Sequence, residues 1–200
     1  MNVFRIIYVI IATIILINLV TASFTKKPRL EAFYYFTDQV ILLSILYMLF
    51  DIDSNIIHFS IMLYLSIIFI LFNFVILPYG KVINTTLKDI GLTVLDNFLM
   101  HILVPSLFII YWFIYGTNIN YTDLGYVLIY PLIYALFAII RGKYGKPLSQ
   151  NPTNYIYPFF DIEKFGVLKV ILMILGLVIF VLLLGSLFIY LKGMYNLLYK

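Results

Sequence analysis

Between Lys169 and Lys192 the chain reads VILMILGLVIFVLLLGSLFIYL, 22 residues without a charge. As an α-helix this run is about 33 Å long at 1.5 Å per residue. That matches the roughly 30 Å hydrocarbon core of a bilayer. The rest of the chain repeats the pattern. Of its 200 residues 64% are hydrophobic, mean hydropathy is +1.07 and only 11% are charged, against about 25% in soluble domains. Apolar runs bounded by charge or proline predict six transmembrane helices, at about 3–24, 31–50, 56–77, 94–115, 123–141 and 165–191. The fold class expected is therefore all-α, a polytopic six-helix bundle. The connections are too short for a separate soluble domain, and no internal repeat is visible, so residues 1–200 are read as one transmembrane domain.

The basic residues give an orientation. Lys26, Lys27 and Arg29 follow the first run, Lys81 and Lys88 the third, and Arg141, Lys143, Lys146, Lys164 and Lys169 flank the fifth loop. These are ten of the 13 Lys and Arg residues; Arg5, Lys192 and Lys200 fall on the other face. The positive-inside rule then places loops 1, 3 and 5 in the cytoplasm and both termini outside a cell membrane. Val20-Thr21-Ala22 before Ser23 resembles a signal-peptidase site, but the basic cluster that follows opposes export. The net charge of +4 points to anionic lipid headgroups, and no nucleic-acid motif competes with that reading. With no cysteine, thiolate catalysis, disulfides and cysteine-ligated metals are excluded. His58 and His101 are the only histidines and are expected at opposite ends of the bundle, so no metal site and no cofactor is expected. Neither a glycine-rich phosphate loop nor Gly-x-Ser-x-Gly occurs.

Against this apolar background the polar residues carry the functional signal. Helices 2 and 4 run in the same direction, and Thr37 and His101 each lie about two turns from the same end. Asp38, Gln39, Asn73, Asp96, Asn97 and Tyr134 fall in that same inner half. Polar side chains inside a membrane face the bundle interior and mark a site or a water-filled cavity, so an inner cavity walled by helices 2 to 5 is expected. A hydroxyl and an imidazole at one depth are a candidate nucleophile and base. Plainer roles exist. The Thr37 hydroxyl has the Phe33 carbonyl four residues back as an ordinary partner, and Asn97, one turn before His101, either holds the imidazole or joins helices. His58 is expected at a wet helix end. Pro105, one turn after His101, removes a backbone bond and is expected to distort the helix beside it; Pro131 is placed to do the same in helix 5.

Four segments follow one another in order: Phe36-Thr37 within FYYFTDQVILL; Asn97-x-x-x-His101-x-x-x-Pro105; Tyr130-Pro131-x-x-Tyr134 with Arg141-Gly142; and Tyr157-Pro158-Phe159-x-Asp161. The set resembles the androgen-induced gene 1 / androgen-dependent TFPI-regulating protein family and its bacterial six-helix relatives, from helix 2 to the start of helix 6. The resemblance implies an integral-membrane threonine hydrolase acting on fatty acid esters of hydroxy fatty acids, with Thr37 as nucleophile and His101 as base. Asp38-Gln39 after the threonine, and the lack of a second histidine near Asn97, depart from the family pattern and bear on the substrate.

The expected partner is thus a membrane lipid or fatty acyl ester. Gln39, Asn73, Asn97 and Tyr134 are the oxyanion or supporting candidates, and Arg141 is the headgroup candidate, with membrane anchoring as its plainer role. The aromatic fifth loop is expected to fold back as a lid, with Asp161 placed to pair with Arg141. The competing classes are a carrier or transporter using the same polar cavity, and a structural membrane protein.

Overall fold

The computed structural model describes residues 3–26, 30–78, 94–148 and 154–198. The basic residues Lys27, Arg29, Lys81 and Lys88 lie outside them, as do the side chains of Lys26 and Asp96. The described chain is helical, with no strand among the described residues. Three helical segments are long and apolar enough to cross a membrane: Asn55–Val75, Tyr121–Tyr144 and Val167–Leu198. The other three apolar runs form the shorter helices Val3–Ile17, Phe36–Phe50 and Leu99–Tyr115.

Contacts divide the chain into two compact units, Met1–Thr117 and Asn118–Lys200. In the first unit α1 is Val3–Lys26, α2 is Phe36–Phe50 and α3 is Asn55–Leu71. A 3-10 turn, Leu30–Tyr34, leads into α2, so the apolar run expected from residue 31 becomes α-helical only at Phe36. Helix α3 is the centre. Ser54 caps its N-terminus by accepting from the Ile57 N–H, and every residue from His58 to Ile68 is buried. Such a uniformly covered helix has no solvent or lipid face. It packs against α2 on one side and against the helix of residues 104–115 on another, and α1 packs on both of those.

The fourth apolar run is broken in its middle. It comprises α4 (Val94–Phe98), a π turn (Leu99–Leu103) and α5 (Val104–Tyr115). Pro105 lies at the start of α5, so the distortion expected beside His101 takes the form of a π turn that contains His101. A second π turn, Phe72–Ile76, extends α3. Nothing in the apolar spacing signals this one.

In the second unit α6 is Leu124–Val127 and α7 is Ile129–Tyr144. The irregularity at Leu128 puts Pro131 in the first turn of α7, where a missing N–H costs nothing. Helices α8 (Ile162–Phe165) and α9 (Val167–Leu198) are separated by Gly166 at φ 76, a left-handed conformation that glycine adopts without strain. Most large apolar side chains of α9 are exposed, Leu168, Leu172, Ile179 and Leu183 among them. This is the surface expected of a helix facing lipid. Asn118 Nδ2 ties the start of this unit to the Ile189 carbonyl at 3.0 Å.

Candidate functional site

The first unit has two polar layers, on either side of a mid-helix apolar core. The layer at the Arg5 end is tied together across helices, although Arg5 Nε and His58 Nε2 are buried without a hydrogen-bond partner among the described residues. Arg5 is buried, donates to the Met48 carbonyl and pairs with Asp51. Asp51 sits past the end of α2 at φ 50, so one guanidinium both caps α2 and ties it to α1. The Tyr8 and Ser44 hydroxyls are 2.6 Å apart, and Ser44 donates to the Ile41 carbonyl at 2.7 Å. His58 does not stand in water, as its place at a helix end suggested. It is 6% exposed, stacked on Tyr47 at 4.8 Å and surrounded by Phe108 and Tyr111. Those rings come from α2 and α5, and their convergence has no local sequence signal.

The other layer holds Thr37, Asp38, Asn73, Asn97 and His101. The ring contact of Tyr47 with Phe108 supplies a common level for comparing helices. Thr37 lies ten residues before Tyr47 and His101 seven before Phe108, about 15 and 10 Å toward the same end at 1.5 Å per residue. Measured on α3 they are further apart: Phe36, next to Thr37, meets Tyr64, and His101 lies on Phe72, eight residues on, about 12 Å along the helix at 1.5 Å per residue. Among the described residues no hydrogen bond joins them.

His101 is the most constrained member. It is 3% exposed, and its ring lies flat on Phe72, with centroids 3.5 Å apart at 12°. Its carbonyl accepts from Asn73 Nδ2 at 3.0 Å. Asn73 Nδ2 also donates to the Phe69 carbonyl at 2.8 Å. Both hydrogens of that amide are then spent, and Asn73 has no donor left for an oxyanion.

Three side-chain atoms in this layer are buried without a hydrogen-bond partner: Asp38 Oδ1, Asn97 Oδ1 and His101 Nδ1. The Asn97 backbone carbonyl lies near the imidazole, but no atom completes a bond to Nδ1. The Asn97 side chain therefore does not hold the ring. Thr37 is buried and its hydroxyl does not take the Phe33 carbonyl, which accepts instead from Gln39 Nε2 at 2.6 Å. Asp38 is 5% exposed and has no ion-pair partner among the described residues. Buried polar atoms in folded proteins are nearly always satisfied, and exceptions mark places where water or a ligand completes them.

Tyr134 and Arg141 belong to the second unit. Tyr134 is buried, with its ring 6.1 Å from Phe137 and 6.4 Å from Tyr157. The Arg141 guanidinium donates to the Asn154 carbonyl. It does not pair with Asp161, whose carboxylate instead caps α8 by accepting from the Glu163 and Lys164 N–H groups at 3.0 and 2.8 Å. A capping bond two to three residues away is entropically cheaper than a pair closed over a 20-residue loop. The described part of that loop does fold back: it packs on α7 and α9, and Tyr155 lies flush on Gly142. A Cβ at Gly142 would stand 2.0 Å from Tyr155 Cδ1. Burial, followed by the nearby Glu163 and Asp161 carboxylates, pushes the Tyr155 phenol up from its ordinary value. Among the described residues no cluster of His, Asp and Glu suited to a metal ion occurs.

Comparison with protein-family models, with curated proteins and with solved structures finds no match to this chain.

Proposed function

We infer that the chain is an integral membrane protein whose six apolar segments cross the bilayer, and that the open polar layer is an ester-hydrolysing site with Thr37 as nucleophile and His101 as base. The observation that carries this reading is a set of buried atoms without a hydrogen-bond partner among the described residues, Asp38 Oδ1, Asn97 Oδ1 and His101 Nδ1, in the part of the first unit that also buries Thr37.

His101 takes the proton of the Thr37 hydroxyl as Oγ1 bonds the ester carbonyl carbon. The C–O bond to the alcohol then breaks, and His101 returns the proton to the leaving oxygen. Water, deprotonated by His101, attacks the acyl-threonine and releases the carboxylic acid. Of the sequence candidates, Asn97 is the oxyanion donor this reading favours, through an Nδ2 for which no hydrogen bond is formed among the described residues. Gln39 Nε2 has one N–H committed to the Phe33 carbonyl, and Asn73 has both committed. The apolar surroundings suit a lipid or fatty acyl ester that enters sideways from the bilayer. This agrees with the ordered motif resemblance to the androgen-induced gene 1 / androgen-dependent TFPI-regulating protein family. The basic loops then face the cytoplasm and both termini the outside.

The test is turnover of long-chain fatty acyl esters by the protein in lipid nanodiscs. Wild type is expected to release acid, and Thr37→Ala and His101→Ala are expected to lose about 100-fold or more. Equal turnover by all three would overturn the reading. A buried carboxyl and a buried imidazole within one unit also suit proton transfer in a carrier. Under that second reading, proton-linked flux in proteoliposomes depends on Asp38 and survives Thr37→Ala.

A further inference from the structure

The His101 carbonyl lacks the donor that a regular α-helix would give it. In an α-helix it would accept the N–H four residues on, but that residue is Pro105, which has none. The π turn at Leu99–Leu103 already diverts the Val104 N–H to the Leu99 carbonyl. The His101 carbonyl therefore lacks the usual donor four residues on, and in an apolar interior an unmet acceptor is costly. The donor that meets it comes from the neighbouring helix: Asn73 Nδ2, at 3.0 Å.

Asn73 is itself held. Its second amide hydrogen goes to the Phe69 carbonyl one turn back, which fixes the direction of the first. The residue before it, Phe72, covers one face of the His101 ring. Adjacent residues of one π turn thus grip the backbone and the ring of the same histidine in the other. Each π turn holds one extra residue relative to an α-helix, which re-aims the side chains in it.

We propose that Asn73 is a positioning residue for His101: it supplies from α3 the backbone donor that Pro105 lacks, and so fixes where the imidazole points. It does not touch the substrate. The inference rests on the reading of His101 as the base. The Asn73–Pro105 pairing makes a prediction that a direct catalytic role for Asn73 does not. Restoring an N–H at position 105 lets the helix satisfy the His101 carbonyl internally, so Pro105→Ala should relieve the need for Asn73.

The experiment compares wild type, Asn73→Leu, Pro105→Ala and the double variant in nanodiscs, with two readouts. The first is the rate of Thr37 modification by an alkyl fluorophosphonate, followed by intact mass. The second is the ¹⁵N imidazole spectrum of a chain with only two histidines. Asn73→Leu is expected to slow labelling by about ten- to 100-fold, the scale of a misplaced base, and to move the His101 resonances. The double variant is expected to recover both to near the Pro105→Ala values. Should Asn73→Leu fail to fold, Asn73→Asp keeps the volume and removes the paired donors, and Pro105→Ala should rescue it in the same way.

A double variant as slow as Asn73→Leu, with unmoved resonances, would overturn the proposal. So would Asn73→Leu labelling at the wild-type rate. If wild type itself is not labelled, the hydrolase reading fails, and the imidazole spectrum still decides whether Asn73 and Pro105 are coupled.

Discussion

The two polar layers of the first unit are built from similar residues and behave differently. At one end Arg5, Tyr8, Ser44, Asp51 and His58 are each engaged by a group from another helix. At the other, Asp38 Oδ1, Asn97 Oδ1 and His101 Nδ1 are buried without a hydrogen-bond partner among the described residues; in the first layer Arg5 Nε and His58 Nε2 are buried in the same way, but on side chains that other helices engage through a bond or a stacked ring. The first arrangement stabilises through the cross-helix contacts it makes. The second costs stability and persists in natural proteins where function requires it. Polarity inside a membrane is therefore a poor guide to a site by itself; unmet polarity is a better one.

The largest expected difference between the layers is catalytic. Thr37→Ala or His101→Ala should cut ester turnover by about 10² to 10⁴, the usual range for removing a nucleophile or its base, with little change in melting temperature. Arg5→Ala should do the reverse. It removes bonds to Asp51 and the Met48 carbonyl and should cost about 2–3 kcal/mol by denaturant titration, while leaving the site chemistry intact in the folded fraction. If Arg5→Ala reduces turnover without loss of stability, the layers are not separate.

The sign of the next effect distinguishes them most sharply. Asp38→Leu removes an unsatisfied buried acceptor and should raise stability by about 1–2 kcal/mol. A loss of stability there would mean that the carboxyl is structurally bonded. Smallest is Tyr8→Phe, which should cost about 1 kcal/mol for the lost bond to Ser44 and leave turnover unchanged.

The apolar runs carry the helices in plain view. Charge and proline mark their ends closely enough that 94–115 and Val94–Tyr115 coincide, and 165–191 misses the start of α9 only by the left-handed Gly166. The distortion near Pro105 was legible because it depends on neighbours within one turn. The Phe72–Ile76 π turn was not, since one extra residue per turn leaves an all-apolar pattern unchanged. The surroundings of His58 were hidden for a different reason: Tyr47, Phe108 and Tyr111 reach it from other helices. Asp161 was misassigned because a local capping role and a distant ion pair ask for the same carboxylate.

Orientation has its own check. The chain has no cysteine, so one introduced at position 27 should be labelled from the cytoplasmic side alone; labelling from outside would invert the topology.

The central claim is that Thr37 and His101 form an activated pair in the open layer. Its most direct test is intact-protein mass spectrometry of wild type, Thr37→Ala and His101→Ala after treatment with an alkyl fluorophosphonate. The account predicts one adduct on wild type, mapped to the Thr37 peptide and absent from both variants. Folded wild type that stays unmodified, or that carries its adduct elsewhere, would contradict it.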